Sequence, residues 1–181
     1  MSMHDDIEEI LFTEEQIRER VRELGQMISR DYEGKDLLIL VILRGAVMFL
    51  ADLARSLSIN AEIDFMVVTR YGYSDRPGQL KILRDLEYPV ENRHILIVED
   101  IIDEGGTLRF LVDTLLLRNP ASVKICTMFD KPARRKVEIT PDYNGFTIPD
   151  KWVVGYGLDC KQHYRNLPYL GTLRGEAASR L

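Results

Sequence analysis

The chain has 181 residues, 45% of them hydrophobic and 29% charged, with a net charge of -5. That length suits one domain able to bury a core, and the acidic balance argues against a general nucleic-acid binder, which needs a basic surplus. The two cysteines, Cys126 and Cys160, have no CxxC spacing, which excludes a disulfide framework or zinc pattern and fits a reducing compartment. The opening MSMHDDIEEI is acidic and lacks the apolar core of a secretory signal. Thr13, with Gln16 three residues on, predicts a capped helix start, and Ile17, Val21, Leu24 and Ile28 recur at helical spacing.

Leu37 to Leu43 is wholly apolar, as expected for a strand covered on both faces. It is far too short to cross a bilayer, so a cytoplasmic protein with no membrane partner is expected. Arg44-Gly45 breaks it, and Val47, Leu50, Leu53, Ala54 and Leu57 predict a helix. A second strand is expected over 63–69, then a polar, turn-prone loop over 70–79 and a short strand over 81–83. Positions 95–98 read as another buried strand, 108–117 as its helix, 123–129 as a further strand and 152–157 as a last one. Alternating strands and helices predict an α/β fold with a mostly parallel twisted sheet flanked by helices. We expect a single domain over 1–181, with a core at about 35–145 and a small hood lobe from the chain ends, about 1–30 and 146–181.

The segment Ile95-Leu96-Ile97-Val98-Glu99-Asp100-Ile101-Ile102-Asp103-Glu104-Gly105-Gly106-Thr107-Leu108 carries the chemistry. In such sheets ligands bind at the carboxyl ends of strands. Gly105 and Gly106 permit close backbone approach, Thr107 can cap the next helix, and free N–H groups there attract an anion. Yet Glu99, Asp100, Asp103 and Glu104 crowd the same loop. Carboxylates repel phosphate, but they accept hydrogen bonds from sugar hydroxyls, bind Mg2+ and stabilise developing positive charge. A ligand with a phosphate, a ribose and a carbon turning cationic satisfies all of these, and phosphoribosyl pyrophosphate is one. The segment is neither a Walker A loop nor a GxGxxG fingerprint, and a flavodoxin-like or receiver-like domain is the rival fold.

The run Val98-Glu99-Asp100-Ile101-Ile102-Asp103-Glu104-Gly105-Gly106-Thr107 resembles the phosphoribosyl-pyrophosphate motif of type I phosphoribosyltransferases. Further matches over most of the chain resemble their hypoxanthine-guanine branch. Leu43-Arg44-Gly45 is similar to the family's pyrophosphate loop, which implies a cis Leu43–Arg44 peptide and pyrophosphate binding by Arg44 and Gly45. Asp130-Lys131-Pro132 resembles the segment whose lysine donates to O6 of a 6-oxopurine. Ile148 through Asp159, IPDKWVVGYGLD, resembles the segment that stacks the purine (Trp152), binds its edge (Val153) and holds a second Mg2+ (Asp159). Arg165 matches the arginine that grips pyrophosphate. The loop over 70–79, with Tyr71, resembles the mobile lid, although Arg70 stands where serine is usual. Glu104 stands where threonine is common, so its carboxylate is expected to turn away while its N–H stays in the 5'-phosphate cradle with Gly105, Gly106 and Thr107.

The resemblance implies a purine salvage transferase that uses Mg2+ to join hypoxanthine or guanine to phosphoribosyl pyrophosphate, giving IMP or GMP and pyrophosphate. Glu99 and Asp100 would hold the ribose hydroxyls and reach metal, and Asp103 would be the general base. It also implies a homodimer or homotetramer. Two alternatives stand beside it. One is transfer to xanthine or another base. The other is a nucleotide-responsive regulator binding nucleic acid through Lys131, Arg134, Arg135 and Lys136, which the acidic total and the presence of Asp103 disfavour.

Overall fold

The computed structural model describes residues 2–71 and 79–180. In chain order the elements are β1 (Ile7–Phe12), α1 (Glu14–Asp31), β2 (Leu37–Leu43), α2 (Val47–Ser56), β3 (Glu62–Tyr71), β4 (Gln79–Arg84), β5 (His94–Ile102), α3 (Gly106–Leu116), β6 (Ser122–Asp130), β7 (Tyr143–Thr147), β8 (Val153–Val154), β9 (Leu170–Leu173) and α4 (Gly175–Arg180). Six strands form one sheet in the order β4-β3-β2-β5-β6-β7. All its neighbours are parallel except β3 and β4. β1, β9 and β8 form a separate three-stranded antiparallel sheet. No helix among the described residues is long and apolar enough to cross a membrane.

The apolar run of β2 is explained by two covered faces. Ile39 and Val41, with Leu96 and Val98 of β5, pack under Ile17, Val21, Leu24 and Ile28 of α1 and Phe49 and Leu53 of α2. Leu38, Leu40 and Ile42, with Ile95 and Ile97, pack on the opposite face under Leu108, Leu111 and Leu115 of α3. Side chains alternate along a strand, so a strand sandwiched in this way needs apolar residues at every position. Each such side chain contributes about 1.5–3 kcal/mol when fully buried. Helix α1 starts where the capping box puts it: Gln16 N–H donates to Thr13 Oγ1, and Thr13 N–H to Gln16 Oε1.

Several elements depart from expectation. β5 does not stop at Val98. Its last pair with β2 is Val41 with Val98, but on the other side it stays paired with β6 as far as Ile102 with Asp130. Glu99 and Asp100 therefore lie inside a strand that has lost one neighbour. The expected strand over 152–157 shrinks to Val153–Val154. Gly155, Tyr156 and Gly157 have φ of 100°, 47° and 100°, and left-handed backbone cannot continue a strand. Arg70 and Tyr71 are not loop residues; their backbones close the β3–β4 ladder opposite Leu80 and Gln79. The rest of the expected lid, 72–78, lies outside the described residues.

Candidate functional site

β2 and β5 are neighbours in the sheet, yet the chain leaves β2 toward β3 on one side and β5 toward β6 on the other. That reversal opens a crevice beyond the carboxyl ends of both strands, where ligands bind in such sheets. β2 delivers Arg44-Gly45 to it, and the Leu43–Arg44 peptide is cis. β5 delivers the acids and then the glycine turn. The two strand ends touch: a Cβ on Gly45 would fall 1.6 Å from Asp100 Oδ2. Gly157 comes in from the 155–165 segment, and its Cβ would fall 2.1 Å from the Gly45 carbonyl oxygen. Only glycines let three chain segments meet this closely.

A cavity of about 260 Å³ lies at the start of α3, lined by Glu99 and residues 101–108. The N-cap of α3 is Gly105 in the left-handed region, with no side-chain cap. Thr107, expected as the cap, is instead the second helical residue. The first helical hydrogen bond is from Arg109 N–H to the Gly105 carbonyl, which leaves the N–H groups of Gly106, Thr107 and Leu108 without an intrahelical acceptor. Positive dipole and open donors together make an anion seat.

The acids around this seat are not equivalent. Glu104 is paired with Lys136 at 2.5 Å, and Arg134 Nε lies 3.2 Å from Asp103 Oδ1. Arg135 donates to the Asp103 carbonyl at 2.5 Å and to the Asp130 carboxylate. The basic run after β6 thus neutralises the acidic run after β5, and a phosphate meets less negative charge than the sequence suggests. The same pairings give Arg134, Arg135 and Lys136 carboxylate partners within the chain, which weakens the basic surface considered for nucleic acid as an alternative.

Glu99 and Asp100 keep their charge problem. Glu99 faces the cavity, and its Oε2 is buried with no hydrogen-bond partner among the described residues. Burial, then the neighbouring Asp100, pushes its carboxyl well above the usual range. Asp100 faces Gly45 instead, since consecutive strand residues point to opposite sides. Burial raises it to about 6, against the pull of the Ile101 N–H (2.7 Å to Oδ1) and of Arg165, while Asp159 adds to the rise. No group of three or more His, Cys, Asp or Glu able to hold a metal occurs among the described residues. A cation here would take one or two carboxylates, with substrate oxygens and water completing its shell, which is how Mg2+ is usually held. Two half-buried carboxylates, one with an oxygen that has no hydrogen-bond partner among the described residues, fit that role.

The other named residues surround the crevice. Lys131 is only 4% exposed, so it is not the surface lysine its basic neighbours suggest. Its N–H donates to the Ile102 carbonyl and its Nζ to the Lys151 carbonyl at 2.8 Å, which brings it to the entrance of β8. Trp152 precedes that strand and is 67% exposed, while Val153 is buried. Arg165 pairs with Asp159 at 2.8 Å and donates to the Gly157 carbonyl at 2.7 Å. Gln162, which the sequence did not single out, accepts from both Arg44 and Arg165. No spacing rule flags a lone glutamine, whereas the opposed charge runs after adjacent strands β5 and β6 were a usable signal for Arg134, Arg135 and Lys136.

The chain matches the phosphoribosyl transferase domain family over residues 9–161. It is 51% identical to the hypoxanthine-guanine phosphoribosyltransferase of Lactococcus lactis, over 94% of this chain and 93% of that one. It is 47% identical to the bifunctional protein TilS/HprT of Listeria monocytogenes, over 98% of this chain, but spans only 28% of that protein's length. A crystal structure of a hypoxanthine phosphoribosyltransferase from Staphylococcus aureus superimposes with a TM-score of 0.93 at 44% identity, covering 96% of this chain and 95% of that one.

Proposed function

The chain belongs to the phosphoribosyl transferase family, and on that premise we propose that it moves the 5-phosphoribosyl group of phosphoribosyl pyrophosphate to N9 of hypoxanthine or guanine. The products are IMP or GMP and pyrophosphate. The observation that carries this reading is the open N-terminus of α3 set beside Glu99, whose Oε2 is buried with no hydrogen-bond partner among the described residues. One seats a phosphate and the other faces a sugar carbon as it becomes electron-poor.

In this reading the N–H groups of 104–107 and the Thr107 hydroxyl hold the 5'-phosphate. Glu99 and Asp100 accept from the ribose hydroxyls. Arg44, the Gly45 backbone and Arg165 hold pyrophosphate, a task suited to forked guanidinium groups. Lys131 has two donors left after its bond to Lys151. An O6 acceptor satisfies one, whereas the amino group of adenine presents only donors, which disfavours it. Trp152 stacks on the base, and the Val153 backbone meets its edge. As the bond from C1 to pyrophosphate oxygen breaks and N9 bonds to C1, Asp103 takes the N7 proton. Glu99 and Asp100 would hold one Mg2+ and Asp159 a second, and these ions would supply charge neutralisation for the pyrophosphate leaving group. We place the reaction in the cytoplasm, in a homodimer or homotetramer whose size a solution mass measurement reads out.

The test is pyrophosphate release with phosphoribosyl pyrophosphate and Mg2+, measured separately for hypoxanthine, guanine, xanthine and adenine. Release with the first two and none with adenine is expected. No release with any base would refute the assignment.

A further inference from the structure

Residues 160–163 form a two-residue hairpin turn. Cys160 and His163 exchange backbone hydrogen bonds at 3.1 and 2.9 Å. Between them Lys161 and Gln162 have φ of 48° and 73°. Turns with two successive left-handed residues favour Asn-Gly or Gly-Gly, because other side chains are strained there. This chain places Lys and Gln instead, and strained backbone of this sort gathers at functional sites.

The contacts of Gln162 give the strain a purpose. Its Oε1 accepts from Arg44 Nη1 and from Arg165 Nη2, each at 3.1 Å. Its backbone N–H donates to Asp159 Oδ2 at 2.8 Å. One residue therefore ties the loop after β2, the carboxylate before the turn and the arginine after it. An amide oxygen has two lone pairs and no net charge. It can bring two guanidinium groups together without adding to the negative charge that Asp159 already sets against Arg165 at 2.8 Å, which leaves Arg44 and the remaining Arg165 donors available to a polyanion. A carboxylate in its place would compete with that anion.

We propose that Gln162 is a positioning residue of the leaving-group subsite, aiming Arg44 and Arg165 together at the pyrophosphate moiety. The inference rests on the phosphoribosyl-transfer reading above. The test compares wild type, Gln162→Gly and Gln162→Glu by thermal melting and by steady-state kinetics with each substrate varied. Glycine relieves the left-handed strain, so the melting temperature should hold or rise. Losing the acceptor that aligns two charged donors should raise KM for phosphoribosyl pyrophosphate about tenfold, as a lost charge-assisted hydrogen bond does, with KM for the purine unchanged. Gln162→Glu should weaken phosphoribosyl pyrophosphate further. A merely structural role would leave KM for phosphoribosyl pyrophosphate unaltered in Gln162→Gly, whatever the melting temperature does, and that result overturns the proposal. So does tighter phosphoribosyl pyrophosphate binding in Gln162→Glu. Inactivity of the wild type with every base would instead refute the transferase reading.

Discussion

Replacing Asp100 with asparagine should make the ligand-free protein more stable while abolishing its use of substrate. Burial raises the Asp100 carboxyl from 3.8 to about 6. At about 1.4 kcal/mol per pH unit, the charged form costs the folded state about 3 kcal/mol. The native carboxyl holds its proton to higher pH than the unfolded one. Between 3.8 and about 6 the native state therefore binds more protons, and stability falls as pH rises. Below that window the cost is absent, and above it the cost is complete. The amide of the Asp100→Asn variant has no such titration, and its oxygen can still accept from the Ile101 N–H, as the carboxylate Oδ1 does now. In a domain of this size about 3 kcal/mol corresponds to a gain of about 6–12 °C in Tm. The assay is thermal melting of both proteins without ligand, at pH 8 and pH 4. The variant should melt higher at pH 8, and the gap should close at pH 4. A gap of equal size at both values, or a less stable variant at pH 8, would show that Asp100 is compensated in the free protein and remove the argument for a cation beside it.

Three further outcomes follow from the same geometry. Asp103→Asn should cut turnover by about 10²–10⁴-fold, the usual worth of a general base, with nucleotide binding by calorimetry largely intact; full turnover would take Asp103 out of the role. Lys131→Ala should weaken oxopurine binding by about 10–100-fold, the range for a hydrogen bond to a charged group, and phosphoribosyl pyrophosphate much less, which paired KM measurements decide. Gly157→Ala should lose both activity and stability, since the new Cβ meets the Gly45 carbonyl at 2.1 Å with φ at 100°; a soluble, fully active variant would mean the Gly45 loop yields freely.

The main sheet was legible because its central strands are buried on both faces and its helices repeat at 3.6 residues; β2, α1 and α2 fall where the pattern puts them. The small sheet was harder to read. β1 reads Ile-Glu-Glu-Ile-Leu-Phe, is exposed along much of its length and pairs through two register shifts, so no alternation survives. β7, at the edge of the main sheet, was also hard to read, because it carries Asn144 and Gly145, which signal a turn. There Gly145 lets the strand approach the Met128 carbonyl, where a Cβ would fall at 2.3 Å. Of the site, the glycine turn and its acids were visible as a motif. What the sequence hid was their pairing. Local spacing cannot say that Arg134 meets Asp103 or that Lys136 meets Glu104, because those contacts depend on β5 and β6 lying side by side.

That pairing explains how the proposed phosphate seat can be built among carboxylates. The acids nearest the helix start, Asp103 and Glu104, have basic partners from the segment after β6. The two deeper acids, Glu99 and Asp100, do not, and burial drives both toward the protonated form. In the free protein their ionisation opposes folding. A ligand bringing sugar hydroxyls, a cation and a carbon that gains positive charge supplies what they lack. The same terms then favour occupation, most strongly when the positive charge is greatest. On the proposed reaction, stability withheld from the free protein becomes affinity for the reacting ligand, which is why a variant that firms the fold at Asp100 should cost the protein its chemistry.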